Sequence, residues 1–222
     1  MIATVAARWR PRAFAEWALQ APTFPALASV ALAMVFSTLG AYRISQTVRV
    51  EDIVFGPTRS AIVDTLLVAI GVERTAVLVY VLQRSFDALV VAAALTPIFL
   101  WLLGSSAIHA AARIRGLRGR AYRPLLVLFA YATLVYQVPT SLAGVAFAGG
   151  PLGGIVDAVS VVMLVWFALV VHRGIERHYG VAGDSALGIL LLGGLAFYLL
   201  PLLLIGVALV VIVLAAAILE YF

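Results

Sequence analysis

Cysteine is missing from the 222 residues of the chain. Disulfides, thiolate metal sites and cysteine nucleophiles all need that side chain, so its absence excludes the three together. Lysine is missing as well, so all fifteen basic residues are arginine, which we attribute to codon bias rather than to chemistry.

Charge is scarce throughout the chain. Charged residues make up 11% of the sequence, apolar residues make up 64%, and the mean hydropathy is +1.13. Soluble globular domains carry about 25% charged residues, so this composition indicates a membrane protein. Because each span needs about 20 residues, the chain has room for about four to six helices but not for a water-soluble catalytic domain.

The sequence motifs of common enzymes are also missing. There is no G-x-S-x-G elbow, phosphate-binding loop, dinucleotide fingerprint or metalloprotease helix. His109, His172 and His178 lack a carboxylate at ligand spacing, so we interpret them as interfacial residues that cap helices. The serines near the apolar runs are interpreted as small residues where helices pack: Ser105, Ser106, Ser141 and Ser160. We therefore expect no enzymatic activity, no metal and no cofactor.

What the sequence does have is a series of uncharged runs long enough to cross a bilayer. They predict an all-α polytopic membrane helix bundle with five spans, at about 24–42, 88–108, 124–148, 155–171 and 185–219. Pro97 and Pro139 are expected to kink the second and third spans. The last run is too long for one straight span, so we predict one kinked helix, with two spans and a total of six as the alternative.

Two shorter apolar segments precede the second span, at 61–72 and 75–82. They are too short to cross, and Asp64 and Glu73 interrupt them, so they are interpreted as interfacial or packed helical pieces. The predicted domains are an N-terminal interfacial segment, 1–23, and a single transmembrane domain, 24–222.

The N-terminal segment combines arginines with aromatic residues. Trp9 and Trp17 lie eight residues apart, about two helical turns, and Pro11 suits a first helical turn. This pattern predicts an amphipathic helix in the headgroup layer; a flexible polar leader is the alternative. No apolar stretch of signal-peptide length follows the basic start, so we expect no cleaved leader.

Five arginines lie between the second and third predicted spans: Arg113, Arg115, Arg118, Arg120 and Arg123. We call them the arginine cluster. Basic residues in short loops stay in the cytoplasm, which predicts a cytoplasmic N-terminus in the cell membrane. The same side then receives Arg8, Arg10, Arg12, Arg173 and Arg177. The expected partners are anionic lipid headgroups, with other membrane proteins or self-association as further possibilities, and not nucleic acid.

A small oligomeric transporter or channel is the alternative function. A carboxylate in or beside a span often marks an ion path, and Asp87 and Asp157 lie in such positions, although Asp87 is expected to pair with Arg84. The side chains that offer polar groups near the Pro139 kink are Tyr131, Gln137, Thr140 and Ser141.

The order and spacing of several motifs resemble the Yip family of multispan membrane proteins, which are named for their interaction with Ypt/Rab GTPases. The resemblance runs from about Arg10 to the C-terminus. It rests on Arg10, Pro11 and Phe14, on W-L-L-G-S-S-A-I-H-A-A-A-R (101–113), on Gly116 and Gly119, on Phe129, Tyr131 and Pro139, and on H-Y-G-V-A-G-D-S-A-L (178–187). The resemblance implies five membrane helices, a cytoplasmic N-terminus and no known enzymatic activity. We predict a non-enzymatic role in membrane organisation or as a scaffold for other membrane proteins. The chain lacks the long polar N-terminal domain of the eukaryotic members, so a Rab partner is not implied.

Overall fold

The computed structural model describes residues 9–47, 50–56, 60–147, 153–199 and 202–203. Within these ranges the chain is helical and contains no strand, so the predicted all-α polytopic bundle is confirmed. The helices are α1 (Pro11–Gln20), α2 (Thr23–Thr47), α3 (Val50–Phe55), α4 (Ala61–Ile70), α5 (Val72–Phe99), α6 (Ser105–Ile114), α7 (Arg123–Phe147), α8 (Gly153–Tyr179) and α9 (Gly183–Leu199), and a π-helical turn, Leu100–Gly104, joins α5 to α6.

Within the described ranges, four helical stretches are long and apolar enough to cross a bilayer: Thr23–Thr47, Val90–Ile114, Arg123–Phe147 and Gly154–Tyr179. They coincide with the first four predicted spans, and the chain is therefore a multi-span membrane protein. The fifth predicted span begins with α9, a shorter apolar helix. Most of its remainder lies outside the described residues, and so does the choice between one span and two.

The segment before the second span differs from the prediction. Residues 75–82 do not form a separate piece, because α5 runs without interruption from Val72 to Phe99. Glu73 does not interrupt this helix but lies in its first turn, where the positive end of the helix dipole favours a carboxylate. Arg84 stays inside the helix, with its guanidinium carbon 5.9 Å from the centre of the Tyr80 ring.

Helix α4 begins in a similar way. Ser60 is its N-cap and accepts a hydrogen bond from the Val63 amide at 3.4 Å, and Asp64 lies in the first turn. Gly71 ends the helix with a φ of 87°, a conformation that glycine adopts without strain. The segments Val63–Ile70 and Val72–Ser85 meet there at 118°, and a count that treats this bent pair as one span gives five spans.

Pro97 lies inside α5, as predicted for the second span, and the structure shows how its missing N–H is replaced. In an α-helix, residue 97 would donate to the carbonyl of residue 93, and proline cannot. The buried Ser37 hydroxyl of α2 donates to the Ala93 carbonyl instead, at 2.6 Å. The regular α-helix ends two residues after Pro97, where the π-helical turn begins.

The described chain groups into two compact units. Unit 2 comprises residues 23–99 and 130–167, and unit 1 comprises residues 1–22, 100–129 and 168–222. The predicted division at residue 23 into an interfacial segment and a transmembrane domain stays a prediction. In unit 2, α2 packs along α5, and Gly40 of α2 lies so close to α7 that a Cβ there would be 3.2 Å from the Ser141 Cα.

In unit 1, glycines also permit close approach between helices. A Cβ on Gly174 of α8 would overlap the fully buried Leu128 side chain of α7. A Cβ on Gly193 of α9 would lie 3.0 Å from the Ile108 Cα of α6. Small residues at helix contacts are typical of membrane bundles, where packing replaces the hydrophobic driving force.

Candidate functional site

The arginine cluster begins on an ordered helix end. Helix α6 ends in a Schellman motif: the Gly116 amide donates to the Arg113 carbonyl and the Leu117 amide to the Ala112 carbonyl, both at 3.0 Å. Gly116 has a φ of 84°, the left-handed conformation that this motif requires after the helix. Gly119, with a φ of 89°, turns the chain a second time before α7 begins at Arg123.

All five side chains of the cluster are exposed. Arg115 nevertheless has a defined position, because its Nη1 donates to the Ser185 carbonyl at 3.1 Å. Its guanidinium lies directly against Gly188 of α9, where any Cβ would overlap it. The segment that carries the arginine cluster is therefore held against α9 through Arg115.

Tyr122 fixes the other end of the loop. Its hydroxyl shares hydrogen bonds with the Ser105 and Ser106 hydroxyls of α6, at 2.7 and 2.9 Å. One turn further along α7, the Leu126 carbonyl accepts a bond from the Trp101 indole N–H at 2.9 Å. The two predicted packing serines of α6 thus hold the loop in place, a role that their spacing did not indicate.

The prediction that His109 caps a helix end is wrong. Helix α6 continues past His109 to Ile114. The His109 Nδ1 lies 2.7 Å from the hydroxyl of Tyr179, which belongs to α8. The centres of the His109 and Tyr122 rings are 5.2 Å apart. His109 is therefore a packing and hydrogen-bonding residue between helices.

The other two histidines lie near the end of α8. His172 Nε2 is 3.0 Å from the carbonyl of Gly183, where α9 begins. His178 packs edge-on against Tyr179 with ring centres 4.7 Å apart, and its buried Nε2 has no hydrogen-bond partner among the residues that the structure describes. Among the described residues, no three histidines or carboxylates come together as a metal site.

A second basic site in unit 1 is an open cleft of about 340 Å³ between α1 and the end of α8. Its lining consists of ionisable residues: Arg12, Glu16, Arg173, Glu176 and Arg177. Helix α1 contributes Arg12 and Glu16, and it packs on unit 1 through its buried Phe14, Ala15 and Ala18. Pro11 occupies its first turn, as predicted.

Unit 1 therefore gathers every described arginine that was expected on the cytoplasmic side, while Arg8 lies outside the described residues. Over the sequence ranges of the two units, unit 1 holds ten arginines and four acidic residues, and unit 2 holds five arginines and six acidic residues. The formal charges are +6 and −1. The basic character of the chain thus belongs to one of its two units.

Two polar side chains near Pro139, those of Gln137 and Thr140, donate hydrogen bonds within their own helix. Gln137 donates to the Ser141 hydroxyl at 3.0 Å, and Thr140 donates to the Tyr136 and Gln137 carbonyls, both also at 3.0 Å. Asp157 is exposed on α8, and the side chain of Asp87 lies outside the described residues. Ser160 donates to the Val156 carbonyl of its own helix at 2.7 Å.

No protein-family model, no curated protein and no solved structure matches the chain. The resemblance to the Yip family therefore rests on the sequence motifs alone and stays a prediction.

Proposed function

We propose that this multi-span membrane protein has a non-enzymatic role in membrane organisation or as a scaffold, and that the arginine cluster is its binding surface for anionic lipid headgroups or acidic partner proteins. The observation that carries the proposal is the ordered loop itself. The five exposed arginines lie along a segment that a Schellman motif orders near one end and Tyr122 anchors near the other, so the backbone that carries them is ordered before a ligand arrives.

The electrostatics support an anionic partner. Each basic residue near an anionic membrane surface contributes about 1 kcal/mol to binding, and the attraction falls off over a Debye length of about 8 Å at physiological salt. The planar guanidinium group also matches a phosphate with two parallel hydrogen bonds, which a lysine ammonium cannot do. The charge of +6 over unit 1 concentrates this attraction there.

The orientation belongs to the same proposal. A cytoplasmic N-terminus in the cell membrane would place the cluster beside the anionic inner leaflet, and the Yip resemblance implies the same orientation. A scaffold role with other membrane proteins as partners is part of the same proposal. The transporter alternative has weaker support, because the Gln137 and Thr140 side chains near Pro139 donate to groups of their own helix.

Replacing all five arginines of the cluster by glutamine tests the lipid interaction. The matched control replaces the five arginines that lie outside unit 1: Arg43, Arg49, Arg59, Arg74 and Arg84. Protein in lipid nanodiscs is mixed with vesicles that contain phosphatidylglycerol, and binding is measured by flotation at several salt concentrations. We expect the cluster variant to bind at least about tenfold more weakly than the control, with a shallower salt dependence. Equal losses in the two variants would leave the cluster with no role beyond topology.

The orientation needs its own measurement, because loss of five arginines can also invert a membrane protein. Since the chain has no cysteine, a single cysteine at the exposed Ala182 of unit 1 reports the side of the membrane directly. We expect a membrane-impermeant maleimide to label it in inverted vesicles and not in intact cells. Labelling in intact cells would refute the proposed orientation.

A further inference from the structure

The cleft between α1 and the end of α8 combines both signs of charge at short range. Arg12 Nε lies 3.4 Å from Glu16 Oε1, and Arg173 Nη1 lies 2.8 Å from Glu176 Oε2. These two pairs supply two cations and two anions to one lining. Arg177 adds a third cation, so the cleft carries a net charge of +1.

Arg177 is the unbalanced member of this group. It forms no ion pair with any carboxylate within the ranges that the structure describes. Arg173 and Arg177 also lie four residues apart on α8, an arrangement in which like charges repel across one helix face. An anion bound in the cleft would remove that repulsion, because it would lie between the two guanidinium groups.

The carboxylates offer the complementary contact. Glu16 is part of a long, exposed ion pair, and Arg173 engages only one of the two oxygens of Glu176. A ligand that carries an anion and a cation a few bonds apart could therefore satisfy both halves of the lining. The volume of about 340 Å³ is at the lower end of the range for small-molecule sites, which suits a small zwitterion.

The surroundings of the cleft indicate a membrane headgroup as the source of that ligand. Trp17, which follows Glu16 in α1, is 38% exposed, and Trp9, just before the helix, is 53% exposed. Tryptophan concentrates at the boundary between hydrocarbon and headgroups. Because these tryptophans lie in or next to the helix that supplies Arg12 and Glu16, they favour a position of the cleft at the depth of the lipid phosphates.

We propose that this cleft binds the phosphoethanolamine headgroup of a membrane lipid. The phosphate is held by Arg177 together with Arg12 and Arg173, and the primary ammonium donates to Glu16 and Glu176. Phosphocholine fits less well, because its quaternary ammonium has no N–H to donate and the described residues of the lining are all charged, with no aromatic ring among them. Phosphoglycerol carries no ammonium that could donate to the two carboxylates. The site shares no residue with the arginine cluster, so it does not rest on the function proposed above.

The first test measures lipid binding to the full chain in detergent by native mass spectrometry. The probes are phosphatidylethanolamine, phosphatidylcholine and phosphatidylglycerol with identical acyl chains. We expect the ethanolamine lipid to bind most tightly, and Arg177→Gln to weaken it by about tenfold, since charge-assisted hydrogen bonds are lost. Arg43→Gln, an exposed arginine that lies in unit 2 and in neither proposed lipid site, is the matched control. Equal binding of the three lipids, or equal losses in the two variants, would overturn the proposal.

The second test separates the two halves of the cleft. Glu16→Gln combined with Glu176→Gln removes the proposed ammonium contacts but keeps the three arginines. We expect the preference to change from the ethanolamine lipid to the glycerol lipid, while total lipid binding persists. An unchanged preference would refute the assigned role of the carboxylates.

A third arm identifies the source of the headgroup. Soluble glycerophosphoethanolamine carries the same phosphate and ammonium without acyl chains. Retention of the ethanolamine lipid in its presence supports a bilayer lipid as the ligand. Binding of the soluble compound alone, with no binding of the lipid, would refute the assignment to a membrane lipid.

Discussion

Replacement of Ser37 by alanine should be unusually costly for a single hydroxyl. The Ser37 hydroxyl donates to the Ala93 carbonyl at 2.6 Å, and that carbonyl has no α-helical donor because residue 97 is proline. Hydrogen bonds between membrane helices contribute about 0.6 kcal/mol on average and up to about 1.7 kcal/mol. We expect a value near the upper limit, about 1.5 kcal/mol, because water cannot replace the lost donor in a buried contact.

Ser29→Ala is the matched control. Ser29 lies in the same helix and is equally buried, but its hydroxyl donates to the Ala26 carbonyl one turn away at 2.7 Å. That carbonyl keeps its backbone donor after the substitution, so we expect a loss of about 0.5 kcal/mol or less. Thermal unfolding in detergent, followed by circular dichroism, should show a difference between the variants of a few degrees, at about 2–4 °C per kcal/mol for a chain of this size.

A double-mutant cycle decides whether Pro97 is the cause. In a Pro97→Ala background, residue 97 regains its N–H and can donate to the Ala93 carbonyl within α5. The cost of Ser37→Ala should then fall to less than half, which gives a coupling energy of about 1 kcal/mol. An equal cost in the two backgrounds would refute the reasoning, and the Ser37 contact would then be ordinary interhelical packing.

Two further variants test the packing and the loop of unit 1. Gly174→Ala should lower the melting temperature by a few degrees, because overpacking against a fully buried leucine of α7 costs about 1–3 kcal/mol, whereas the gain in helix propensity is at most about 1 kcal/mol. Gly194→Ala is its control and should not lower the melting temperature, because a Cβ at Gly194 would have no neighbour within 4 Å. Equal shifts in the two variants would contradict the close contact between α7 and α8. Tyr122→Phe removes the hydroxyl that joins the loop to α6 and should speed maleimide labelling of a cysteine at Leu117. The exposed Tyr198→Phe serves as its control, and unchanged labelling in both would show that the hydroxyl does not hold the loop.

The four observed spans could be predicted from the sequence because they depend on a local property. An uncharged apolar run of sufficient length partitions into the bilayer whatever its neighbours are. The error at α5 arose where this criterion is weakest. Glu73 was interpreted as an interruption of the apolar segments, whereas it lies in the first turn of α5, where the helix dipole favours a carboxylate.

The contacts that assemble unit 1 could not be predicted in the same way. His109 is within hydrogen-bond distance of Tyr179, and Arg115 donates a hydrogen bond to the Ser185 carbonyl. In each pair the two residues are seventy positions apart in the sequence. No local pattern encodes such pairs, because they depend on how the helices pack. The cleft is a similar case. Arg12 and Arg177 were expected on one side of the membrane, but the sequence did not show that they line one cleft together with two glutamates, because that depends on where α1 packs in unit 1.

The Schellman motif at the end of α6, where the arginine cluster begins, could have been predicted from the sequence. In R-I-R-G-L (113–117), glycine follows a helical run and an apolar residue follows the glycine, which is the usual pattern at such helix ends. The motif shows that Arg113 lies in the last turn of a folded helix and that Arg115 is its C-cap, so neither is part of a flexible tether. A flexible loop would lose conformational entropy on binding lipid phosphates, whereas a loop held by Gly116, Tyr122 and Ser185 has lost most of it during folding. The loop should therefore bind anions more tightly than its charge alone predicts, and a short peptide of residues 113–123, which has the same charge without these contacts, should bind them more weakly than the intact protein.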